Sequence, residues 1–291
     1  MRKSPSAIAL GFFDGVHIAH QKIITSAVNY AKENNLLPIA LSFDASPLEV
    51  LSPQKASYIT TPQEKKQIIN SLGAEIDFLP TNAEFLSMSP EAFIENILIR
   101  RYNIKYAVCG YDYRFGKGGA GDANLLIQYG KNLGFYTKVI DCETLDGEKI
   151  SSSHIRELIA EGKIKRANEL LGRSFSLTGT VREGKHLGRT LGFPTANVFF
   201  NDLTVIPKKG VYKTVVSIDN TCYNSVTNIG INPTVGGEKL RTETYIPSFE
   251  GNLYGKEIRI EFLDFIRAEK KFENISELKE QMTKDTQYLK K

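Results

Sequence analysis

Two histidines near the start of the chain stand beside glycines and an acid, in the segment GFFDGVHIAHQKII that begins at Gly11. His17 and His20 are three residues apart, so on a helix they share one face and point toward its N-terminus. Free amides and the helix dipole favour phosphate at that end of a helix. The same spacing also occurs among packing and surface histidines, so the pattern indicates a phosphate site with plain packing as the alternative.

A second segment that could handle phosphate is GTVREGKHLGRTLGFPTANV, from Gly179 to Val198. Its first seven residues, ending at Lys185, fit the GxxxxGK pattern of a P-loop. However, His186 takes the place of the Ser or Thr that would hold Mg²⁺, and two further glycines follow where a P-loop requires a helix. The segment is therefore not predicted to be a P-loop.

A third glycine cluster, from Gly116 to Gly121, fits GxGxxG, and Asp141 lies about twenty residues further on, as in dinucleotide-binding folds. The preceding predicted strand ends near Gly110, several residues too early for that fingerprint. We therefore favour a glycine loop that leads into a helix capped by Asp122, with NAD binding as the weaker alternative.

The elements that must position these residues alternate in the first half of the chain. Short apolar runs read as buried strands: IALGFF, LPIALSF, IDFLP, YAVCG and FYTKVID. Between them lie stretches with a helical period, whose starts are marked by a capping box at residues 61–64 and by Ser89-Pro90-Glu91. Strands alternating with helices predict a parallel, doubly wound α/β sheet, whose ligands bind at the carboxyl ends of the strands.

After about residue 165 the pattern changes from alternating to β-rich. Two helical stretches give way to short strands separated by Gly, Pro and Asn: SFSLTGTV, VYKTVVSI, CYNSVTNIG, RTETYIPSF and KEIRIEFLDFI. Such strands predict a small barrel or sandwich. The chain then returns to a helical pattern with Asn274 or Ser276 as its cap. Two domains are expected, joined by the helical segment near residues 160–172.

Bulk properties exclude several classes. The 291 residues are 41% hydrophobic, and 37 basic and 33 acidic residues are interspersed, so no nucleic-acid partner is predicted. Cys109, Cys142 and Cys222 form no CxxC pair, which argues against a disulfide framework or a zinc ribbon and for a reducing, cytoplasmic location. The first apolar run is broken by Gly11 and Asp14, unlike a signal peptide, and no run is long enough for a membrane span.

These motifs carry a resemblance to a known family. GFFDGVHIAH resembles the nucleotidyltransferase signature of bacterial FAD synthetases, GxFDGxHxGH. Residues 110–122 are similar to the flavin and nucleotide loop of that family, and ISSSHIR, residues 150–156, is similar to its ISSTxIR segment. The chain departs from the family pattern at Ala19, which replaces the glycine of HxGH, and at Ala45 and Ser46, which replace the proline and histidine of TFDPHP.

The resemblance implies an N-terminal Rossmann-like nucleotidyltransferase domain that transfers an adenylyl group from ATP to FMN. The catalytic residues that it implies are His17, His20 and Arg156. The nucleotide-binding residues are Gly11, Phe13, Asp14, Gly15 and Ser152, and the flavin-binding residues are Asp112 and Phe115. Because FMN already carries an anionic phosphate nucleophile, attack on the α-phosphorus needs alignment, Mg²⁺ and cationic groups rather than a strong base.

The second half resembles riboflavin kinases, whose signature runs from a glycine-rich strand and flap into GFPTAN, here within residues 179–198. Further similar segments are residues 206–212, 228–237 and 242–267, followed by the terminal helix. The resemblance implies a small β-barrel kinase domain in which Glu243 is the general base toward the ribityl hydroxyl. The other implied residues are Thr195 and Asn197 for Mg²⁺ and the ATP phosphates, Gly184 and Gly188 in a loop over the phosphates, and Tyr245 where the family commonly has histidine.

Together the two halves predict a bifunctional enzyme of flavin cofactor biosynthesis, with an adenylyltransferase domain over residues 1–168 and a riboflavin kinase domain over residues 169–291. Its expected ligands are riboflavin, FMN, FAD and ATP with Mg²⁺. Two alternatives stay open: a riboflavin kinase with a weakened or inactive adenylyltransferase half, and a flavin-binding regulator without turnover. The sequence does not predict the oligomeric state.

Overall fold

The computed structural model describes residues 4–47, 57–183, 193–200, 203–219, 221–234 and 237–290. The chain forms two compact units, residues 1–152 and 153–291. The described helices are α1 (Ile18–Asn34), α2 (Pro62–Ser71), α3 (Ala83–Leu86), α4 (Pro90–Ala92, continuing as the π-helical turns Phe93–Arg101), α5 (Ala123–Leu133), α6 (Ser152–Glu161), α7 (Ile164–Leu171) and α8 (Ile275–Gln287).

The first unit is built on a five-stranded parallel sheet, as predicted. Its strands are β1 (Ser6–Leu10), β2 (Leu37–Phe43), β3 (Glu75–Leu79), β4 (Ile104–Gly110) and β5 (Tyr136–Ile140). They lie in the order β3-β2-β1-β4-β5, so the strand order reverses at β1. The crevice at such a reversal, beyond the carboxyl ends of the strands, is where doubly wound sheets bind ligands. In this chain that crevice follows directly after β1.

Both faces of the parallel sheet are covered by helices. Successive residues of β1 point to opposite faces, so Ala7 packs with α1 and α2 whereas Ile8 packs with the helical turns after α4 and with α5. Small residues on one side and large ones on the other let α1 approach β1 closely. The predicted doubly wound arrangement is confirmed.

Several predicted helix starts are confirmed at the level of single hydrogen bonds. The Thr61 side chain accepts from the Glu64 amide, and the Glu64 carboxylate accepts in return from the Thr61 amide at 2.9 Å, which makes a complete capping box at α2. Asp122 caps α5 by accepting from the Leu125 amide at 2.9 Å. Asn274, rather than Ser276, is the cap of α8.

The second unit contains a closed six-stranded antiparallel barrel, which decides between the predicted barrel and sandwich. Its strands are β6 (Phe175–Arg182), β7 (Thr195–Phe200), β8 (Gly210–Ile218), β9 (Thr221–Thr234), β10 (Gly237–Tyr245) and β11 (Glu257–Arg267). Their order around the barrel is β6-β7-β10-β9-β8-β11, and β11 pairs with β6 to close it. Closure leaves no sheet edge exposed to other chains.

Buried hydroxyls link three strands of the barrel. Thr214 on β8 lies 2.7 Å from Ser225 and 2.8 Å from Thr227, both on β9, and Thr227 lies 3.0 Å from Thr244 on β10. Because every one of these side chains is buried, their mutual hydrogen bonds avoid the cost of unsatisfied polar groups. This chain of hydroxyls places the alternate residues of β10, among them Glu243, on the outer face of the barrel.

Candidate active sites

A strained turn connects β1 to α1. Phe13 has φ 54° and Val16 has φ 40°, both in the left-handed region that non-glycine residues, and β-branched ones above all, avoid. Gly15 lies between them with φ 74°, and a Cβ there would come within 2.9 Å of the Ile59 side chain. Backbone strain of this kind is found mostly at functional sites, where the surroundings hold it in place.

The two histidines of the sequence pattern lie side by side at the end of this turn. His17 precedes the first helical residue and caps α1, its Nδ1 accepting from the His20 amide at 3.3 Å. The two rings stack with centroids 3.6 Å apart and planes 16° apart, and the edge of the Phe13 ring meets His20 at 5.3 Å. The predicted placement of both imidazoles at the N-terminus of α1 is what the structure shows.

Burial and neighbouring charge act on His20. Removal from water lowers its pKa well below the usual 6.5, and the nearby His17 and Lys65 lower it further. The ring is therefore uncharged at neutral pH in the ligand-free protein. Its Nδ1 is buried and makes no hydrogen bond within the described part of the chain. Unsatisfied buried polar atoms are rare in folded proteins, and this one lies at the strained turn.

Asp14, predicted to bind nucleotide, lies inside the turn. Its carboxylate accepts from the Ile59 amide at 2.9 Å and from the Thr60 amide at 3.3 Å, and only 1% of the residue is exposed. The Gly15 amide in turn donates to the Thr60 hydroxyl at 3.1 Å. In these contacts Asp14 holds residues 59 and 60 against the turn.

The segment ISSSHIR begins α6. Ser152 donates its hydroxyl to the Asp14 carbonyl at 3.0 Å, so the predicted triphosphate-binding serine touches the turn after β1. Arg156 lies one helical turn after Ser152, on the same side of the helix, and donates to the Ser153 hydroxyl at 3.2 Å. Triphosphate binding by Ser152 and Arg156 stays a prediction.

The two residues predicted to bind flavin have different surroundings. Asp112 is exposed and lies 3.9 Å from the Lys149 ammonium. Phe115 is 5% exposed and belongs to the core, where its ring contacts those of Phe93 and Tyr113. Flavin binding by Asp112 and Phe115 stays a prediction. The sequence analysis did not single out Lys65, a buried lysine of α2 that lies next to the turn between β1 and α1.

The departure at Ala45 and Ser46 lies after β2. The Ser46 amide donates to the Tyr58 hydroxyl at 2.8 Å, and the Tyr58 ring lies 6.0 Å from the ring of Phe12 in the turn after β1. A tyrosine hydroxyl therefore lies close to Ser46, the position that corresponds to the histidine of the TFDPHP pattern.

In the second unit, strand register brings together residues from three parts of the chain. Asn197 on β7 pairs with Glu243 on β10, and Glu243 pairs on its other side with Asn228 on β9. Thr195 pairs with Tyr245, one place further along the same outer face. The predicted residues Thr195, Asn197 and Glu243 are thus neighbours, and Asn228 is a polar neighbour that the sequence reasoning did not single out. The sequence signal for Asn228 was its place at the start of residues 228–237, a segment similar to riboflavin kinases.

A cavity of about 320 Å³ opens beside this row. Glu243, Thr195 and Asn228 line its polar side, and Phe193 and Tyr245 meet edge to face at 5.1 Å on its aromatic side. A cavity of this volume is typical of small-ligand sites. Gly184 and Gly188, predicted to fold over the phosphates, lie outside the described residues.

Helix α8 forms the opposite wall of the cavity. Arg267 at the end of β11 holds Asp285 of α8 through Nε to Oδ1 at 3.0 Å and Nη2 to Oδ2 at 2.7 Å. Gln281 also donates to Asp285, at 2.9 Å. Asp285 is the buried residue of a helix that is otherwise exposed or half-buried. This bidentate pair therefore fixes α8 to the barrel.

Removing the buried carboxylate is expected to destabilise the second unit. Asp285→Ala leaves the Arg267 guanidinium without its partner, and breaking a buried ion pair from one side costs about 3 kcal/mol. Urea denaturation followed by circular dichroism measures the change, and hydrogen exchange of α8 amides localises it. Glu280→Ala removes an exposed partner of Lys284 on the same helix and is the matched control, with no measurable change expected. Equal stability of the two variants would contradict the assigned role of Asp285.

No helix of the described residues combines the length and hydrophobicity that crossing a membrane requires. Nor does any cluster of three or more His, Cys, Asp or Glu residues in the described ranges form a metal site.

Comparison with protein families matches both halves of the chain. Residues 1–154 match the FAD synthetase model, and residues 171–291 match the riboflavin kinase model. A bifunctional riboflavin kinase/FMN adenylyltransferase of Listeria monocytogenes is 37% identical, covering 96% of this chain and 90% of its own. The proteins of the same name from Bacillus subtilis and Escherichia coli K12 are 37% and 32% identical over 98% and 96% of this chain and 92% and 90% of theirs.

Comparison with solved structures gives a match over the whole length. A crystal structure described as a macrolide-efflux protein from Streptococcus pneumoniae is similar with a TM-score of 0.93 and 31% sequence identity. The match covers 100% of this chain and 95% of that one. The arrangement of a parallel sheet unit followed by a six-stranded barrel therefore recurs in a solved structure.

Proposed function

The chain belongs to the family of bifunctional riboflavin kinase/FMN adenylyltransferase enzymes, and from this premise we propose which of its residues carry each of the two reactions. The enzyme phosphorylates riboflavin with ATP, giving FMN and ADP. It then joins FMN to the AMP part of a second ATP, giving FAD and pyrophosphate. Both activities belong to flavin cofactor biosynthesis. The FAD synthetase family model matches the first half of the chain, and the riboflavin kinase model matches the second half.

The kinase reaction is assigned to the outer face of the barrel. The observation that carries this assignment is the row formed by Asn197, Glu243 and Asn228, next to a cavity with aromatic walls. Glu243 accepts the proton of the terminal ribityl hydroxyl as that oxygen attacks the γ-phosphorus, because an uncharged alcohol gains from a positioned carboxylate. Phe193 and Tyr245 offer ring surfaces to the isoalloxazine.

Magnesium fits this site by the chemistry of its donors. Thr195 and Asn197 lie two residues apart on β7, so their side chains share one face of the strand, and both offer the hard oxygens that Mg²⁺ prefers. We propose that these two residues hold the ion with the ATP phosphates, where it supplies positive charge that offsets the charge on the phosphoryl group.

The adenylyl transfer is assigned to the turn between β1 and α1. The proposed position of the triphosphate is the N-terminus of α1, where backbone amides favour phosphate and the stacked rings of His17 and His20 lie. The ring N–H groups of His17 and His20 are proposed to donate hydrogen bonds to the phosphate oxygens and so to stabilise the negative charge that develops on the pyrophosphate leaving group. Ser152 and Arg156, on one side of α6, are proposed to bind the triphosphate.

The complete enzyme is expected to convert riboflavin to FAD. Ala19 is small enough to allow close approach of a phosphate, and the Tyr58 hydroxyl lies beside Ser46, where the family pattern has a histidine. The departures are therefore expected to leave the adenylyl transfer active. Incubation with riboflavin, ATP and Mg²⁺, followed by chromatography of the flavins, is expected to show FAD as the final product. FMN as the only product would mean an inactive adenylyltransferase half, and bound flavin without any product would mean a regulator.

The functional boundary near residue 168 is kept as a proposal. It falls in the interval between the two family matches, which end at residue 154 and resume at residue 171. Asn168 of α7 donates to the Phe262 carbonyl at 2.8 Å and accepts from the Phe175 amide at 2.7 Å, so α7 is tied to strands of the barrel.

The cysteines are all free, which supports a reducing, cytoplasmic location as a further proposal.

A further inference from the structure

Lys65 of α2 is a buried lysine that the two assigned reactions do not use. Only 4% of the residue is exposed. Its Nζ donates to the Phe12 carbonyl at 2.8 Å and lies 4.2 Å from the centre of the Phe12 ring. Ser42 donates its hydroxyl to the same carbonyl at 2.8 Å. The Phe12 carbonyl is thus held from two sides.

Nothing in the described part of the chain neutralises this ammonium by direct contact, since no carboxylate there lies within ion-pair distance of Nζ. A buried cation without an ion pair is costly, and folds carry such groups mostly where they act on a ligand or on another site residue. A packing role alone would be met at lower cost by methionine, which has a similar length.

Lys65 places its positive charge at the ligand-binding edge of the parallel sheet. Phe12 follows the end of β1 and Ser42 is the penultimate residue of β2, so the ammonium lies at the carboxyl edge of the two central strands. That edge is where a doubly wound sheet binds its ligand. The next residue along the chain, Phe13, has the left-handed backbone and places its ring edge against His20. Contacts therefore run without a break from Lys65 to His20.

We propose that Lys65 is a positioning residue for the adenylyl transfer: its ammonium fixes the Phe12 carbonyl, and with it the strained turn that aligns His20, and it keeps a positive charge beneath the phosphate-binding turn. This inference rests on the proposed placement of ATP at His17 and His20. The phosphate-rich substrate supplies the negative charge that the buried ammonium lacks.

The charged groups around Nζ set its titration. Burial lowers the pKa of Lys65 from 10.5 to about 8, and the Asp14 carboxylate on the turn partly opposes this shift. On α1 the titratable neighbour is His20, on whose imidazole the Lys65 charge acts. Lys65 is therefore largely protonated at neutral pH and loses its charge as the pH rises through about 8.

Other acids near α2 are directed elsewhere. Glu64 on the same helix accepts from Thr61 in the capping box. The β3 acids Glu75 and Asp77 alternate onto the face of the sheet opposite to Phe78, whose ring lies 6.0 Å from the Lys65 ammonium. Asp44, after β2, accepts from the Thr81 amide at 2.9 Å.

The decisive experiment measures both half reactions in Lys65→Met and Lys65→Arg. Lys65→Met is expected to lower kcat/KM for ATP in FAD formation from supplied FMN by roughly 10²-fold, since small misalignments at a phosphoryl site have effects of that size. FMN formation from riboflavin is expected to stay within about twofold, because the barrel is a separate unit. Lys66→Met, at the exposed neighbouring position, is the matched control and should leave both reactions unchanged.

Two readouts separate a charge effect from simple structural damage. In the wild type, kcat/KM for adenylyl transfer is expected to fall as the pH rises above about 8, whereas Lys65→Arg keeps its charge and is expected to lose that alkaline limb. The chain has four histidines, so labelled imidazole carbons give a spectrum in which His20 can be titrated. Its pKa is expected to rise in Lys65→Met, because a repelling cation is removed.

Each result bears on the inference. Wild-type FAD formation by Lys65→Met, or the same alkaline limb in Lys65→Arg as in the wild type, would overturn it. If Lys65→Met loses both half reactions through misfolding, the pH profile of Lys65→Arg decides. Failure of the inference is distinct from failure of the proposed function: an active Lys65→Met beside an inactive His20→Ala rejects only the role of Lys65, whereas a wild type that forms no FAD rejects the function itself.

Discussion

Glu243→Gln is expected to reduce FMN formation by roughly 10²–10⁴-fold, the range by which a positioned general base accelerates proton transfer. Glutamine keeps the shape and the outward position on β10 but cannot accept the ribityl proton. FAD formation from supplied FMN is expected to stay within about twofold, because that reaction is assigned to the other unit. Rates of both half reactions, followed by chromatography of the flavin products, test this.

A matched control for Glu243 is available on the same barrel. Glu257 is an exposed glutamate at the start of β11 and does not line the cavity, so Glu257→Gln should leave FMN formation unchanged. If Glu243→Gln also leaves it unchanged, Glu243 is not the base. If Glu243→Gln abolishes both half reactions, the assignment of one reaction to each unit is wrong.

His20→Ala is expected to lower FAD formation from FMN by roughly 10²–10³-fold, the effect of deleting one donor that stabilises charge in a transition state. Loss of water contact and the neighbouring His17 and Lys65 lower the pKa of His20, so in the proposed site its half-buried ring acts as a neutral hydrogen-bond donor to the phosphates. Its removal deletes stabilisation that exists only with substrate bound. The loss should therefore appear in kcat as well as in KM for ATP. FMN formation from riboflavin is expected to be unaffected.

His154 provides the comparison for His20. It is a partly exposed histidine of α6 whose Nδ1 lies 3.8 Å from the Glu157 carboxylate, and His154→Ala is expected to leave adenylyl transfer unchanged. Equal activity of His20→Ala and the wild type would show that the stacked histidines are packing residues, the alternative that their spacing left open. The melting temperature of each variant shows whether an activity loss reflects unfolding.

The two departures from the family pattern have different structural settings. Ala19 lies in the first turn of α1, where a methyl group replaces a hydrogen. Ser46 lies beside the Tyr58 hydroxyl, which approaches the turn through its contact with Phe12. The enzyme thus has a polar hydroxyl near the position of the missing imidazole. The rate at which the wild type forms FAD from FMN measures how active the adenylyl transfer is with Ala19 and Ser46 in place.

Much of the fold was predictable because its signals are local. The period of apolar residues indicated each strand of the parallel sheet, and side chains within a few residues of each other formed the caps at Thr61 and Asp122. The HxxH spacing likewise indicated that His17 and His20 lie together, although the reason differs: His17 is the N-cap of α1, and its ring accepts from the His20 amide three residues later.

The sequence by itself indicated the strands of the parallel sheet, five of the six barrel strands, the presence of two domains and the histidine pair, because these follow from neighbours along the chain. It did not indicate the strand β7. Only the tertiary structure decided the rest. Lys65 looks like a surface lysine of an amphipathic helix until α2 packs against the turn after β1, and packing alone buries its ammonium. In the same way, Asn197, Glu243 and Asn228 lie on three separate strands, and the register of the closed barrel puts them in one row. Burial and register depend on contacts between residues far apart in sequence, which no local pattern reports.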